Sequence, residues 1–150
     1  MKKTSKKLLI QFLNAHHVMC LATQGSHGPH AAPVFYALLQ KPLQLIFLSD
    51  IKARHVVEIQ ADPRVSLGIY GETRDIGSIQ GVQIWGRAHF PPESSPFSFS
   101  YFKAHPNARF YHAMHPAHQF CVISVEKARL VDNRFGFGHR REWTLRKKLG

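Results

Sequence analysis

The stretch "LSDIKARHVVEIQADPRVSLGIY", residues 48–70, places a cluster of cations between two apolar runs. Its upstream run, "LQLIFLSD" (43–50), reads as a strand. "IKARHVVEIQA" (51–61) sets Val56, Ile59 and Gln60 at helical spacing and stops before Asp62-Pro63. Proline restricts the residue before it and cannot continue the ladder of helix bonds. "RVSLGIYG" (64–71) is then a further strand. Ser49, Lys52, Arg54 and His55 therefore collect at a strand end and helix start. Such a start carries unpaired amide donors and partial positive charge, so cations there oppose the helix dipole. A bound anion would compensate them. A solvated loop that needs only charge for solubility is the competing reading.

Outward from this unit the chain alternates short apolar runs with turn signals. Leu8, Leu9, Phe12 and Leu13 fall at helical spacing behind Thr4 and Ser5, predicting a capped amphipathic helix over 5–15. "VMCLATQ" (18–24) and "HAAPVFYALL" (30–39) read as strands joined by the hairpin loop "GSHGP". "QKP" turns the chain into 43–50, and short connections of this kind imply antiparallel pairing. "IQGVQIWGRAHF" (79–90) is a strand whose Gly81 and Gly86 mark a bulge or a close approach. Residues 91–116 read as loop plus helix, with Phe99, Phe102, Phe110 and Met114 expected buried. "HQFCVISVEKARLVDN" (118–133) is a long strand expected to bend at Glu126-Lys127, and a short strand follows "FGFGHRREWTL". The pattern predicts an antiparallel barrel or sandwich with peripheral helices, a mainly β, α+β class.

Composition fits one globular domain over 1–150, with 44% hydrophobic residues and an aromatic set of 11 Phe, 4 Tyr and 2 Trp. Charge is the unusual feature: 20 Lys and Arg against 9 Asp and Glu give +11 with 11 His held neutral. That excess attracts nucleic acid, anionic lipid or phosphorylated small molecules. Part of it lies in "MKKTSKK" and "HRREWTLRKK", and residues 1–4 and 146–150 are expected to be flexible basic tails. Cys20 and Cys121 lack CxxC spacing and are expected to be buried free thiols of a cytoplasmic protein. The apolar run Leu8–Leu13 is too short for a signal peptide, and no stretch approaches the ~20 residues of a membrane span.

Motifs with chemistry of their own are scarce. HExxH, GxSxG, GxxxxGK[ST] and a GxGxxG opening a helix are absent from the sequence. His112-x-x-His115-x-x-His118 has tempting spacing, but Pro116 interrupts it, so no metal site is expected. Asp62, Asp75, Glu93 and Asp132 sit at turn positions, where capping explains them. An enzyme of this composition would borrow its chemistry from a cofactor. On the residues alone, a phosphate-binding loop and a solvated one both remain open.

Ser49, "KARHV", "DPRV" and "GRA" occur in an order and at distances that resemble the pyridoxamine-phosphate-oxidase-like FMN-binding split barrels. "YFKAHPNAR" and "DNRFGFGHRREW" resemble its YhbP-like branch, and the likeness covers nearly the whole chain. The resemblance implies a homodimer of six-stranded antiparallel split barrels with FMN at the subunit interface. It assigns the FMN phosphate to Lys52 and Arg54, assisted by Ser49 and His55. It lays Ala32, Pro33 and Val34 along the flavin ring, and gives Phe47 and Leu48 to the ring or ribityl chain. Gln83 would reach the pyrimidine edge, and Trp143 would approach from the partner subunit.

Two departures qualify this. Position 55 is His where the wider superfamily has Asn, and "REWTLRKKLG" lacks the substrate motif that ends the true pyridoxamine phosphate oxidases. Vitamin-B6 oxidase activity is not expected. The expectation is an FMN-dependent oxidoreductase acting on a small molecule. Alternatives are a flavin store, sensor or stress-related module without turnover, a haem or deazaflavin protein on the same barrel, and a nucleic-acid binder through the basic surface. No specific nucleic acid and no membrane is expected as partner.

Overall fold

Leu9 and Leu13, one helical turn apart, anchor the first element against the barrel with no exposed surface. The computed structural model describes residues 3–92, 95–115 and 117–145, and this first helix, α1, is Lys3–Ala15. It begins two residues before the expected start, so Thr4 and Ser5 lie inside its first turn rather than ahead of it. Tyr36 closes its other end, its hydroxyl donating to the Leu13 carbonyl at 2.6 Å.

The next two strands, β1 (Val18–Gly25) and β2 (Gly28–Phe35), pair along their whole length as the expected hairpin. Gly28 takes a φ of +96° in that tight turn, where a side chain would be strained. A second hairpin joins β3 (Ala37–Gln40) to β4 (Leu43–Asp50). The helix α2 (Arg54–Ala61) then leads into β5 (Arg64–Tyr70) and β6 (Gln80–His89). Two short helices, α3 (Pro96–Ala104) and α4 (Ala108–Met114), precede the long β7 (His118–Asp132) and the short β8 (Arg140–Thr144).

All pairings are antiparallel, in the order β2-β1-β5-β6-β7-β4-β3, with β8 added to β7. The first half of β7 bonds β4 and its second half bonds β8, while β6 follows it on the other side. The expected bend is a β-bulge: Trp85 faces Lys127 and Gly86 faces Val125, so Glu126 is passed over. Gly86 fits there because a Cβ would run into the Ser124 carbonyl.

Among the described residues the sheet has eight strands rather than six. "HAAPVFYALL" divides at Tyr36, whose N–H donates to the His17 carbonyl at 2.9 Å in the β1–β2 register, before Ala37 opens the pairing with β4. The segment after Arg140 supplies β8, so only the strand count of the split-barrel expectation changes.

Alternate residues of β1, β5 and β6 point inward, among them Met19, Leu21, Leu67, Ile69, Val82 and Ile84. A second aromatic cluster lies under α3, where Tyr101 and Phe102 pack on Ile46, Phe120 and Val122. Phe99, Phe110 and Met114, expected to be buried, are exposed at 67%, 64% and 60%. Helices of nine and seven residues offer one packed stripe at most; in α3 it is Tyr101–Phe102, and α4 has no buried residue. Cys121 is buried as expected, whereas Cys20 is half-buried on the outer sheet face. Of the expected tails, residues 3 and 4 belong to α1, and 1–2 and 146–150 lie outside the described residues. Among the described residues no helix is long and apolar enough to cross a membrane.

Candidate functional site

The four residues at the strand–helix junction are brought together. Ser49 Oγ and His55 Nε2 lie 2.7 Å apart, bridging the end of β4 to the first turn of α2. Asp50 Oδ1 accepts from the Lys52 amide at 2.7 Å, which fixes the turn and leaves the Lys52 side chain exposed. The residue capping α2 is Ala53, so no side chain caps the helix, and its first turn holds no acid. The uncapped start of α2 thus carries two exposed cations, with the Ala53 and Val56 amides bonded to the Asp50 and Ala53 carbonyls.

Behind them stands a residue the sequence reading missed. Glu58, on the buried face of α2 and 8% exposed, accepts from Arg54 Nε at 2.6 Å and from Thr23 Oγ1 at 2.5 Å. These bonds, Thr23's foremost, hold its carboxyl below the ordinary range, so it is an anion at neutral pH. Arg54 keeps 48% of its side-chain surface exposed. His30 reaches in from β2: its Nδ1 is 3.6 Å from Glu58 Oε2, is buried, and has no hydrogen-bond partner. Its ring stacks on His55 at 6.4 Å between centroids. Burial, followed by His30, lowers the His55 pKa, so its imidazole is neutral at physiological pH. The one available signal was the i,i+4 spacing of Arg54 and Glu58.

The other expected residues divide. Ala32 and Val34 are half-buried and Pro33 is exposed, all on β2, which ends the sheet order and, among the described residues, pairs only with β1. Its outer row of backbone groups is therefore open beside α2, a position suited to a flat ligand's polar edge. Phe47 has no exposed surface and Trp143 has 5%; both belong to this chain's own core. Leu48 packs against the cluster under α3. Gln83 is exposed on the outer face of β6, where it accepts from Arg129 Nη1 at 3.4 Å.

Two concavities lie on other parts of the sheet, with no residue of α2 in their linings. One, of about 420 Å³, lies between the end of β2 and the α3–α4 junction, lined by Phe35, Tyr101, His105 and Tyr111. Tyr101's phenol there is pushed up to about 12 by burial. The other, of about 380 Å³, is a shallow hollow on the outer sheet face over Cys20, Ala22, Ser66, Gly68 and Gln83. Among the described residues no group of three or more His, Cys, Asp or Glu is placed to hold a metal ion. His112, His115 and His118 do approach one another, with ring centroids 6.0 and 5.6 Å apart from His118.

Residues 6–132 match the family described as pyridoxamine 5'-phosphate oxidase. The chain belongs to this family. A UPF0306 protein of Pasteurella multocida is 27% identical over 91% of this chain and 90% of its own. The UPF0306 protein YhbP of Salmonella paratyphi C is 27% identical over 89% of this chain and 88% of its own. Among solved structures, a haem-binding protein of Mycobacterium smegmatis superposes with a TM-score of 0.75 at 24% identity. That match covers 89% of this chain and 55% of the other. A FAD-binding protein of Mesorhizobium loti superposes with a TM-score of 0.66 at 19% identity, over 82% and 89%. The pyridoxamine 5'-phosphate oxidase family thus accounts for the split barrel, and the structural likenesses carry the fold alone.

Proposed function

We propose that this member of the pyridoxamine 5'-phosphate oxidase family is a cytoplasmic flavoprotein. It binds FMN non-covalently at a homodimer interface and serves as an oxidoreductase for a small molecule. The observation that carries the reading is Lys52 and Arg54 at the uncapped start of α2, beside the open edge of β2. A phosphate dianion there gains two cations and the first amides of the helix. The buried, partnerless Nδ1 of His30 is a further polar group in the same corner.

Bound flavin would supply hydride and electron transfer; the chain's own residues bind, orient and exclude water. Lys52 and Arg54 hold the phosphate, with Ser49 positioning His55 behind them. The backbone of Ala32–Val34 orients the ring through its open edge. The cleft lined by Phe35, Tyr101, His105 and Tyr111 is where a small substrate would lie. No residue is assigned as general acid or base. Subunit pairing is supported by the outer face of β1, β5 and β6. Its Cys20, Ala22, Ser66 and Gly68 are small and half-buried, beside exposed Tyr70 and Trp85. The free thiols Cys20 and Cys121 agree with a reducing compartment.

The test is the visible spectrum of the purified protein and the mass of whatever denaturation releases. A two-banded flavin spectrum and the mass of FMN are expected, and a colourless protein that fails to quench added FMN fluorescence would refute the reading. Haem is the second reading, favoured by the haem-binding Mycobacterium smegmatis protein of the same fold and by half-buried His30 and His105. A single intense Soret band would decide for it. Bleaching by NADH or NADPH without oxygen separates an oxidoreductase from a flavin store. Steeply salt-dependent retardation of nucleic acid would instead assign the basic surface that role.

A further inference from the structure

Glu58 is an odd residue to bury under a phosphate site. Anions beneath an anion-binding corner weaken it, and a buried carboxylate is costly unless it is paired. Yet the surroundings are built to hold it. Thr23 and His30 are opposite one another in the β1–β2 hairpin, so one cross-strand pair presents both to Oε2. At Gly25, two residues along β1, a Cβ would overlap the carboxylate. Four positions on three elements therefore converge on one side chain whose remaining oxygen takes Arg54 Nε.

Two effects on Arg54 follow, of opposite sign. Anchoring Nε fixes the direction of the guanidinium, leaving its amino ends for a second acceptor. The carboxylate also cancels much of the charge that Arg54 brings to that acceptor. Without Glu58 the pair Lys52 and Arg54 would present two positive charges; with it they present a net of one.

We propose that Glu58 is a positioning residue that aims Arg54 and attenuates the charge of the phosphate clamp, setting how tightly a phosphorylated cofactor is retained. This rests on the flavin reading above and adds to it a residue without ligand contact that tunes affinity. Holding the clamp below its full charge makes the cofactor exchangeable rather than permanent.

The experiment compares FMN with riboflavin, which has the same ring and no phosphate, by fluorescence quenching on the full chain. The wild type should prefer FMN. Glu58→Gln retains an oxygen for Arg54 and removes the charge, so FMN affinity should rise, on the order of tenfold, with riboflavin unchanged. Glu58→Ala, which removes the anchor as well, should gain less than Glu58→Gln. Thr23→Val removes the other hydrogen bond and keeps the charge, and should give no tightening. A Glu58→Gln protein that binds FMN no better than wild type, or whose FMN and riboflavin affinities shift together, overturns the inference and leaves the flavin site standing. A wild type that binds neither ligand, or shows no preference for FMN, overturns the site itself.

Discussion

Gly25 and Gly86 both lie where a methyl group has no room, but the obstacles differ. At Gly25 the obstacle is the Glu58 side chain, and at Gly86 it is the Ser124 backbone carbonyl. A side chain can rotate away and a paired strand cannot. Gly25→Ala should cost about 1 kcal/mol and Gly86→Ala about 2–3 kcal/mol, read from thermal or urea midpoints. Asp62 and Asp132 give a second residue-scale expectation. Each carboxyl is held at about 2 by hydrogen bonds from a neighbouring guanidinium, Arg64 and Arg134 respectively, against an ordinary 3.8. Because these folded values are depressed, the stabilisation is complete above about pH 4 and is lost as pH falls through about 2. Unfolding midpoints should drop across that window, and Asp132→Asn should flatten the slope. At this scale the sequence exposed what lies contiguous along it. Ser49, Lys52, Arg54 and His55 are within seven residues, so their meeting was legible. Thr23, His30 and Glu58 meet only through hairpin register and the docking of α2, which spacing along the chain does not encode. That Phe47 and Trp143 lie in the core was not legible either, because aromatic character alone does not say which face of a strand is closed.

Elements follow from signals that are mostly local in the sequence. The hairpin at Gly25–Gly28, the end of α2 at Asp62-Pro63 and the bulge beside Gly86 follow from glycine and proline chemistry that is local. The division at Tyr36 does not, since it marks where one continuous apolar run changes partner from β1 to β4, which the run itself does not encode. The exposed apolar residues of α3 and α4 misled for a related reason: helical spacing gives a stripe, but length decides whether it has a partner. At the element scale α2 is the part to perturb. Arg54→Ala removes one cation from the corner and strips Glu58 of a charged partner while it stays buried. It should therefore lower both FMN affinity and stability, whereas Lys52→Ala, at an exposed position, should lower affinity alone. Parallel FMN titrations and melting curves of the two variants check this.

For the whole molecule, the outer face of β1, β5 and β6 is the surface whose composition asks for a partner. Ala22→Arg puts a long cation among Ala31, Ser66 and their neighbours, and should yield a monomer by sedimentation. If FMN sits between subunits, that monomer should also lose its flavin.

Strand β7 joins nearly everything else, bonding β6, β4 and β8. It also follows both β4 and β6 in the chain, and is therefore synthesised after them. Until it emerges, β4 and β6 each have an unpaired edge, so the nascent chain must wait with sticky borders exposed. Truncation anywhere before residue 118 should therefore give insoluble material rather than a smaller folded barrel. The protein's demand on chaperones during synthesis is written into the position of that one strand.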